Sequence, residues 1–484
     1  PVTSATTVPA VIKTAPSSSK LRIMSRRAGS ISILDGRRWS YPDVSIHLFD
    51  AMTRYDANGK LQGRLAESWE QVDPTTWRFK LRQGVKFQNG EAWNAEAFKY
   101  NMEMYAKLDP PWAYISYFQG AWPLNVTVES AYSALVKTTT PQPRIPRIMT
   151  RMGIVPPVAS QATNFADNPV GSGSYRLVQW DKTKIAVIEA NQDYWDGAPK
   201  INRLEFTLGP DDGTRIAAFQ AGEVDVIWEV PYDRVKDLTS KFNVLQAPTW
   251  GLYYMALNCG AKSPLGDVRV RQALRYAIDH QGIRDSLLAG QGEMLKGTIP
   301  SAIPDSIDAG GFPKRDVAMA KKLLADAGQS QGFGLNLLIQ PGEFSKDREI
   351  CEAIIAQLDE VGVKVKYNEV DNATLKARQT DGNYDMFPNA IYNWVGDTPY
   401  YVSVFKTNGY TISKTADDLL VQSNAVEGAQ RSALVQKAMK QVWDDAYQLW
   451  AVGRTASIGM VKNLQGASYL PCNFLLFDKA QLTS

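Results

Sequence analysis

The amino-acid sequence predicts an α/β protein of two lobes that are connected by two chain crossings. Three observations lead to this prediction: the first half is rich in strand-like segments, the second half alternates helices with strands, and the segment 455–484 returns to strand-like patterning. This tail is too short for a domain, whereas 484 residues have room for roughly two to four domains. We therefore expect the tail to return to the first lobe, so that two crossings form a hinge beside an interlobe cleft.

The strands of the first half are predicted by alternation of apolar and polar residues. Trp77–Leu81 and Tyr175–Val178 alternate with a period of two, which is typical of half-buried strands. The segments Lys184–Glu189 and Leu204–Leu208 follow the same pattern. The first lobe is therefore expected to be built largely on β-sheet.

The second half combines helical and strand-like periods. A helical stripe over Ile350–Val361 lies between two strand-like segments, Leu335–Ile339 and Val363–Tyr367. Short links between a strand, a helix and a strand predict a parallel pair. A long helix is expected from Gly428 to Trp450, followed by a strand over Ala456–Val461.

Composition excludes several classes of function. Lysine and arginine total 53 against 50 acidic residues, a net charge of +3, which is not the basic footprint of a nucleic-acid-binding protein. No window approaches the roughly 20 apolar residues that a membrane-spanning helix needs. His47 and His280 are far apart, and Cys259, Cys351 and Cys472 lack metal-ligand spacing. We expect no metal, no cofactor and no nucleic-acid partner.

The first twenty residues differ from the rest of the chain. They consist mainly of Pro, Ser, Thr, Ala and Val, a composition too polar and too often broken by proline to pack into a core. We predict a disordered tether over 1–20. It is either an expression remnant or the start of a mature chain whose signal peptide has been removed.

Four collinear segments resemble the peptide-type solute-binding proteins of ABC importers, the dipeptide, oligopeptide and nickel group known as family 5. The first contains LAESW and FKLRQGVKFQNGE, and the second contains GSGSY and NQDYW. The third reads DVRVRQALRYAID, and the fourth contains AKKLLADAG and YDMF. Together they span these ranges: 48–98, 168–201, 257–283 and 320–387.

The resemblance implies the two-lobed periplasmic-binding-protein fold, in its class II-like large form with an extra inserted subdomain. It places lobe one at 21–250 and 455–484, the inserted subdomain at about 48–165, and lobe two at 251–454. It also implies a monomer outside the cytoplasmic membrane, in the periplasm or as a cell-surface lipoprotein. Such a protein works with a membrane permease and closes its hinge around a peptide or an amine-bearing small solute.

The same resemblance points to the stretch from Asn393 through Trp394 and Val395 to Asp397. In peptide-binding relatives, an aspartate at this place holds the ligand's α-ammonium, and a carboxylate in a closed cleft makes a strong charge-assisted hydrogen bond with such a group. Trp394 would provide a flat apolar wall. The alternative is that Trp394 belongs to the core and Asp397 caps a turn.

Other aromatic residues are expected where the lobes face each other. Trp250, Tyr253, Tyr401 and, in the inserted subdomain, Trp112 are our candidates for ligand contact. The segment 339–344 offers no lysine or arginine for a ligand carboxylate, which argues against a strict dipeptide binder. The alternatives are an oligosaccharide, another polar non-peptide or a metal chelate.

Enzymatic activity has little support in the sequence. A serine hydrolase triad needs a histidine base near its nucleophile, and no GxSxG elbow or Walker A sequence is present. Glycosidase chemistry needs two facing carboxylates, and such a hydrolase is the remote alternative. We therefore expect a binding protein rather than an enzyme.

Overall fold

The protein is described by a computed structural model, which covers residues 19–26, 29–38, 43–108, 124–260, 263–342, 344–407 and 413–483. In chain order, strands β1 to β21 are Lys20–Ser25, Thr53–Tyr55, Leu61–Gly63, Ala66–Asp73, Thr76–Leu81, Asn125–Ser130, Ser133–Lys137, Tyr175–Asp181, Ile185–Ala190, Arg203–Leu208, Val226–Trp228, Asn243–Leu257, Glu293–Met294, Phe333–Ile339, Val363–Glu369, Met386–Tyr392, Gln448–Met460, Leu464–Gln465, Ser468–Leu470, Phe474–Leu476 and Gln481–Leu482.

Helices α1 to α14 are Gly29–Ser32, Ser45–Leu48, Ala95–Ala106, Ile145–Ile148, Asp212–Gln220, Val235–Thr239, Val268–Ala277, His280–Leu287, Val317–Asp326, Asp347–Asp359, Asn372–Thr380, Thr398–Thr407, Lys414–Ser423 and Gly428–Asp444. Across the described part of the chain, none of these helices is long and apolar enough to cross a membrane. The predicted tether lies outside the described residues except at its last two positions, and β1 begins at Lys20.

One large mixed sheet runs through the whole molecule. Its strand order is β15-β14-β16-β12-β17-β11-β1-β10-β9-β8, with β13 on β17. The long antiparallel strands β12 and β17 form its centre. Residues Asn243–Pro248 of β12 pair with the C-terminal part of β17, from Met460 back to Thr455. After a register shift, Leu252–Ala256 pair with the N-terminal part of β17, from Gly453 back to Gln448. The boundaries predicted for the two crossings, near 250 and near 455, fall within these two neighbouring strands.

The predicted strand-helix-strand unit is confirmed. Strands β14 and β15 pair in parallel along their whole length, and α10 connects them. The buried stripe of α10 includes Ile350, Ile354 and Leu358 at the four-residue spacing of one helix face. Gly362 follows with a φ of +87°, a conformation that glycine adopts without a steric penalty and that turns the chain into β15.

The predicted long helix is wrong at its C-terminal end. Helix α14 ends at Asp444, and β17 has already begun at Gln448. Ala446 has a φ of +54°, which breaks the helix. The first seven residues of β17 are all buried, so this strand shows no polar alternation that would distinguish it from a buried helix.

A second sheet belongs to the segment expected as an inserted subdomain. Its order is β4-β5-β7-β6, all antiparallel, and α3 packs beside it. Helix α3 begins after Asn94, whose side chain accepts a hydrogen bond from the backbone N–H of Ala97. Trp93, Phe79 and Phe98 pack in one apolar core with this sheet. The segment thus has its own hydrophobic centre.

The last described residues pack against the first half of the chain. Asp478 accepts hydrogen bonds from Ser174 Oγ at 2.8 Å and from Arg54 Nη1 at 2.8 Å. The ring of Phe477 stacks on His47, with 5.5 Å between centroids. These contacts fasten the tail to elements that are more than 250 residues earlier in the sequence.

Candidate functional site

The loop between β16 and α12 contains the stretch Asn393 to Asp397. Asn393 is buried and organises this loop, since its Nδ2 donates to the Asp397 carbonyl at 2.9 Å and its Oδ1 accepts from the Val395 N–H at 3.2 Å. Its own N–H donates to the Trp250 carbonyl at 3.2 Å, and the Tyr401 hydroxyl donates to the same carbonyl at 2.5 Å. The structure therefore brings Trp250, Asn393 and Tyr401 together, as buried groups that shape the loop.

Asp397 is buried, with 3% of its surface exposed. Its Oδ2 lies 3.3 Å from Nη1 of Arg144, and its Oδ1 lies 3.2 Å from Nη2 of Arg431. Burial by itself disfavours the charged carboxylate, but Arg431 and Arg144 outweigh burial and lower the pKa of Asp397. Asp397 is thus an ionised carboxylate held between two guanidinium groups.

The neighbouring backbone of this loop is held from the first half of the chain. Arg147 Nη1 donates to the Gly396 carbonyl at 2.7 Å, and the Tyr55 hydroxyl donates to the Val395 carbonyl at 2.5 Å. Arg144 approaches from the same short helical segment as Arg147. The two halves of the molecule are therefore in direct polar contact along 395–397.

Trp394 is half-buried and belongs to a stack of rings and cations. Its ring stacks on Tyr392 with 5.9 Å between centroids and 18° between planes. The guanidinium carbon of Arg151 lies 5.0 Å from the Trp394 ring centre and 5.2 Å from that of Phe474. A small cavity opens here, and its lining includes Trp394, Arg151, Arg54 and Asp50.

The other end of the stack faces a second small cavity. There the guanidinium carbon of Arg454 lies 3.9 Å from the Tyr392 ring centre and 4.9 Å from that of Tyr253. Arg26 lines the same cavity, and its Nη2 donates to the Gly342 carbonyl at 2.7 Å. The loop that lacks a basic residue of its own thus receives one from the first half of the chain.

The sequence motif indicated the loop and several of its aromatic residues, but it did not indicate the cations around them. Arg144, Arg147 and Arg151 recur at helical spacing, and this repeated positive charge was a signal that pointed to one shared face. Arg431 and Arg454 had no local signal. Trp112 lies outside the described residues. Glu343, within the 339–344 segment, also lies outside them.

The described residues also bear on metal binding and on thiol chemistry. They contain no group of three or more His, Cys, Asp or Glu side chains that could hold a metal ion. The three cysteines are free thiols, and burial raises the pKa of Cys259 to about 11, which keeps it protonated at neutral pH.

Comparisons with known proteins agree with this architecture. The model of "Bacterial extracellular solute-binding proteins, family 5 Middle" matches residues 60–412. The glutathione-binding protein GsiB of Pectobacterium atrosepticum is 26% identical over 472 residues, covering 91% of this chain and 89% of that protein. The probable D,D-dipeptide-binding periplasmic protein DdpA of Escherichia coli is 26% identical over 473 residues, covering 90% and 88%.

Solved structures show the same fold. The periplasmic binding protein DppA from Helicobacter pylori, solved in complex with the peptide STSA, superposes with a TM-score of 0.82. It is 18% identical, and the match covers 96% of this chain and 98% of that one. The α/β architecture with two lobes expected from the sequence is confirmed by this likeness.

Proposed function

This chain belongs to the bacterial extracellular solute-binding proteins of family 5, and from that membership we propose that it captures a peptide or another amine-bearing small solute for uptake. The captured solute is handed to the membrane permease of an ABC importer. The names of similar proteins support the ligand class, since they specify glutathione, a D,D-dipeptide and a bound peptide. We further propose that the protein binds without chemical conversion, as those relatives are binding proteins.

The observation that carries this proposal is the stack formed by Arg454, Tyr392, Trp394 and Arg151. It has a cavity at each end, and the groups that line these cavities come from widely separated parts of the chain. Flat rings flanked by cations suit a solute that has both apolar and charged parts. We propose that Trp394 and Tyr253 form the walls against which the solute packs.

Asp397 remains our proposed anchor for a ligand ammonium. In the present arrangement its carboxylate is already paired with Arg144 and Arg431. Arg144 belongs to the expected inserted subdomain, whereas Arg431 is on α14 near Asp397. Opening of the cleft would therefore withdraw Arg144 and expose one carboxylate oxygen to an incoming ammonium. Asn393, Val395, Trp250 and Tyr401, in or beside this loop, also remain proposed ligand contacts.

We propose a hinge at the two central strands, with lobe one at 21–250 and 455–484 and lobe two at 251–454. A ligand that contacts both lobes favours the closed form, because it binds that form more tightly. Solution scattering should then show a smaller radius of gyration with ligand than without. A tight ligand that leaves the radius unchanged would contradict hinge closure. The protein is expected to work as a monomer outside the cytoplasmic membrane, in the periplasm or on a lipid anchor.

Native mass spectrometry of the purified protein, followed by calorimetric titration with peptides, tests the proposal. Trp394→Ala should weaken peptide binding by at least about 10-fold, as expected for a buried aromatic anchor. Trp180→Ala is the matched control, since Trp180 is on β8 at the edge of the sheet and half-buried. The proposal fails if no peptide or amine-bearing solute binds, or if the protein converts the solute it binds into a product.

A further inference from the structure

The side chain of Trp250 lies between two glycines that come from distant parts of the chain. A Cβ built on Gly59 would lie 2.7 Å from Cζ2 of the indole, and one built on Gly396 would lie 2.6 Å from its Cζ3. The ring of Tyr55 is perpendicular to the indole, with 4.6 Å between centroids. Trp250 is 3% exposed. We call the space bounded by Gly59, Gly396 and Tyr55 the indole slot.

The indole slot depends on glycine at both of its walls. A Cβ at either position would be closer to the indole than non-bonded carbon atoms can approach, so the ring fills the slot completely. Both glycines also have a positive φ, +74° at Gly59 and +57° at Gly396, which other residues adopt only with strain. Gly59 belongs to the turn between β2 and β3, and Gly396 belongs to the loop between β16 and α12.

The backbone of Trp250 is at the boundary between the two proposed lobes. The register of β12 on β17 shifts between Pro248 and Leu252, on either side of it. Its N–H donates to the Pro471 carbonyl at 2.9 Å, and its carbonyl accepts from the Asn393 N–H at 3.2 Å. Pro471 belongs to the tail and therefore to proposed lobe one, whereas Asn393 belongs to proposed lobe two. Trp250 is thus tied to both.

We propose that Trp250 is a positioning residue for solute capture, whose indole stabilises the closed form by filling the slot between the lobes. Movement of the lobes about β12 and β17 would separate Gly396 from Gly59 and expose part of the indole. Since burial of apolar surface is favourable, the buried ring favours the closed form. This inference rests on the proposed function and its hinge, and it adds a residue that acts on closure whether or not it touches the solute.

Gly59→Ala tests the inference, with Gly84→Ala as the matched control. Gly84 has a φ of +75°, but a Cβ there meets nothing within 4 Å, so that both variants carry the same backbone strain and only one crowds the slot. Solution scattering without solute should give a larger radius of gyration for Gly59→Ala than for Gly84→Ala. The affinity for the tripeptide that native mass spectrometry selects from an equimolar mixture should be about 10-fold lower, because affinity falls with the fraction of molecules that can close.

Trp250→Phe is the second variant, since its shorter side chain withdraws from both glycines while remaining apolar. It should also increase the radius of gyration without solute, a change that the loss of a direct contact with the solute would not produce. In the double variant Gly59→Ala/Trp250→Phe, the methyl group enters the space that the indole has left. The losses of affinity should therefore be smaller together than the product of the two single losses, as expected for residues in contact.

The possible results separate this inference from the proposed function. If Gly59→Ala matches Gly84→Ala in both radius and affinity, the inference is overturned and the proposed function stands. If no tripeptide binds to the wild-type chain, the proposed peptide function is wrong, and the radii measured without solute still decide the role of Trp250. If Gly59→Ala does not fold, an unchanged radius in Trp250→Phe overturns the inference.

Discussion

The buried carboxylate of Asp397 offers the most direct test of how this cleft is held together. We consider Asp397→Asn, which preserves shape but removes the charge. In the wild-type chain Asp397 forms two ion pairs, at 3.3 Å with Arg144 and at 3.2 Å with Arg431. Each contributes about 5 kcal/mol of Coulomb attraction at an effective dielectric constant of about 20. Desolvation offsets much of that attraction. The variant, however, leaves Arg144 with 3% exposure beside a neutral partner, and breaking such a pair lowers the unfolding free energy by about 3–5 kcal/mol.

The assay is chemical unfolding followed by tryptophan fluorescence, with Asp308→Asn as the control. Asp308 also lies 3.3 Å from a cation, Lys296, but its side chain is 62% exposed, so that solvent screens the pair and little change is expected. A loss below about 1 kcal/mol in Asp397→Asn would refute the reasoning. It would mean that Arg144 and Arg431 find other acceptors or that the pair is not made in solution.

The structure also determines how the difference in unfolding free energy between the wild-type chain and Asp397→Asn depends on pH. The pKa of Asp397 is lower in the folded protein than in the unfolded chain, where it is about 4. The stabilisation is therefore fully present above about pH 4 and is lost as the pH falls through the folded-state pKa. The gap between the wild-type chain and Asp397→Asn should stay constant from neutral pH to about pH 4 and narrow below it.

Three further variants test the surrounding packing. Gly396→Ala places a Cβ 2.6 Å from the Trp250 ring at a φ of +57°, so thermal unfolding should show that the unfolding free energy falls by about 2–3 kcal/mol. Gly382→Ala is the control and should lose clearly less, because its φ is +67° but its Cβ meets nothing within 4 Å. Tyr401→Phe removes a buried hydrogen bond, and denaturant titration should show a loss of about 1–2 kcal/mol; an unchanged midpoint would contradict this. Burial lowers the pKa of His280 to about 4, so stability is complete above about pH 6.5 and should fall by about 3 kcal/mol towards pH 4. That decline should be absent from unfolding curves of His280→Gln, and its persistence would refute the assignment.

Much of the fold could be predicted because its pattern is local. In strand β5 and in the unit from β14 to β15, apolar residues recur at a regular spacing that can be read within a few residues of sequence. The central strands could be found only in part, since the predicted strand over Ala456–Val461 coincides with the end of β17 but its beginning and β12 were not predicted. The last nine residues of β12 and the first seven of β17 are all buried, since neighbouring elements cover both faces, and such strands show no alternation.

The candidate site was likewise predictable only where its residues are close together in the sequence. The stretch from Asn393 to Asp397 is continuous in sequence, so a motif could indicate it. Its cationic partners are not continuous with it: Arg144 is 253 residues away from Asp397. No local period encodes a contact of that kind, because it depends on how the sheet and the helices are assembled. The same holds for Arg454, whose neighbours Tyr253 and Glu229 come from separate strands and loops.

The position of β17 has a consequence for the order in which the protein can be completed. Among the strands of the large sheet, β17 is synthesised last, yet it lies between β12 and β11. A chain that has emerged only as far as β16 therefore contains two half-sheets, each with an open edge. Open edges of this kind pair readily with other chains. A single late strand closes both of these inner edges, so we expect the nascent chain to associate less readily once β17 has been added.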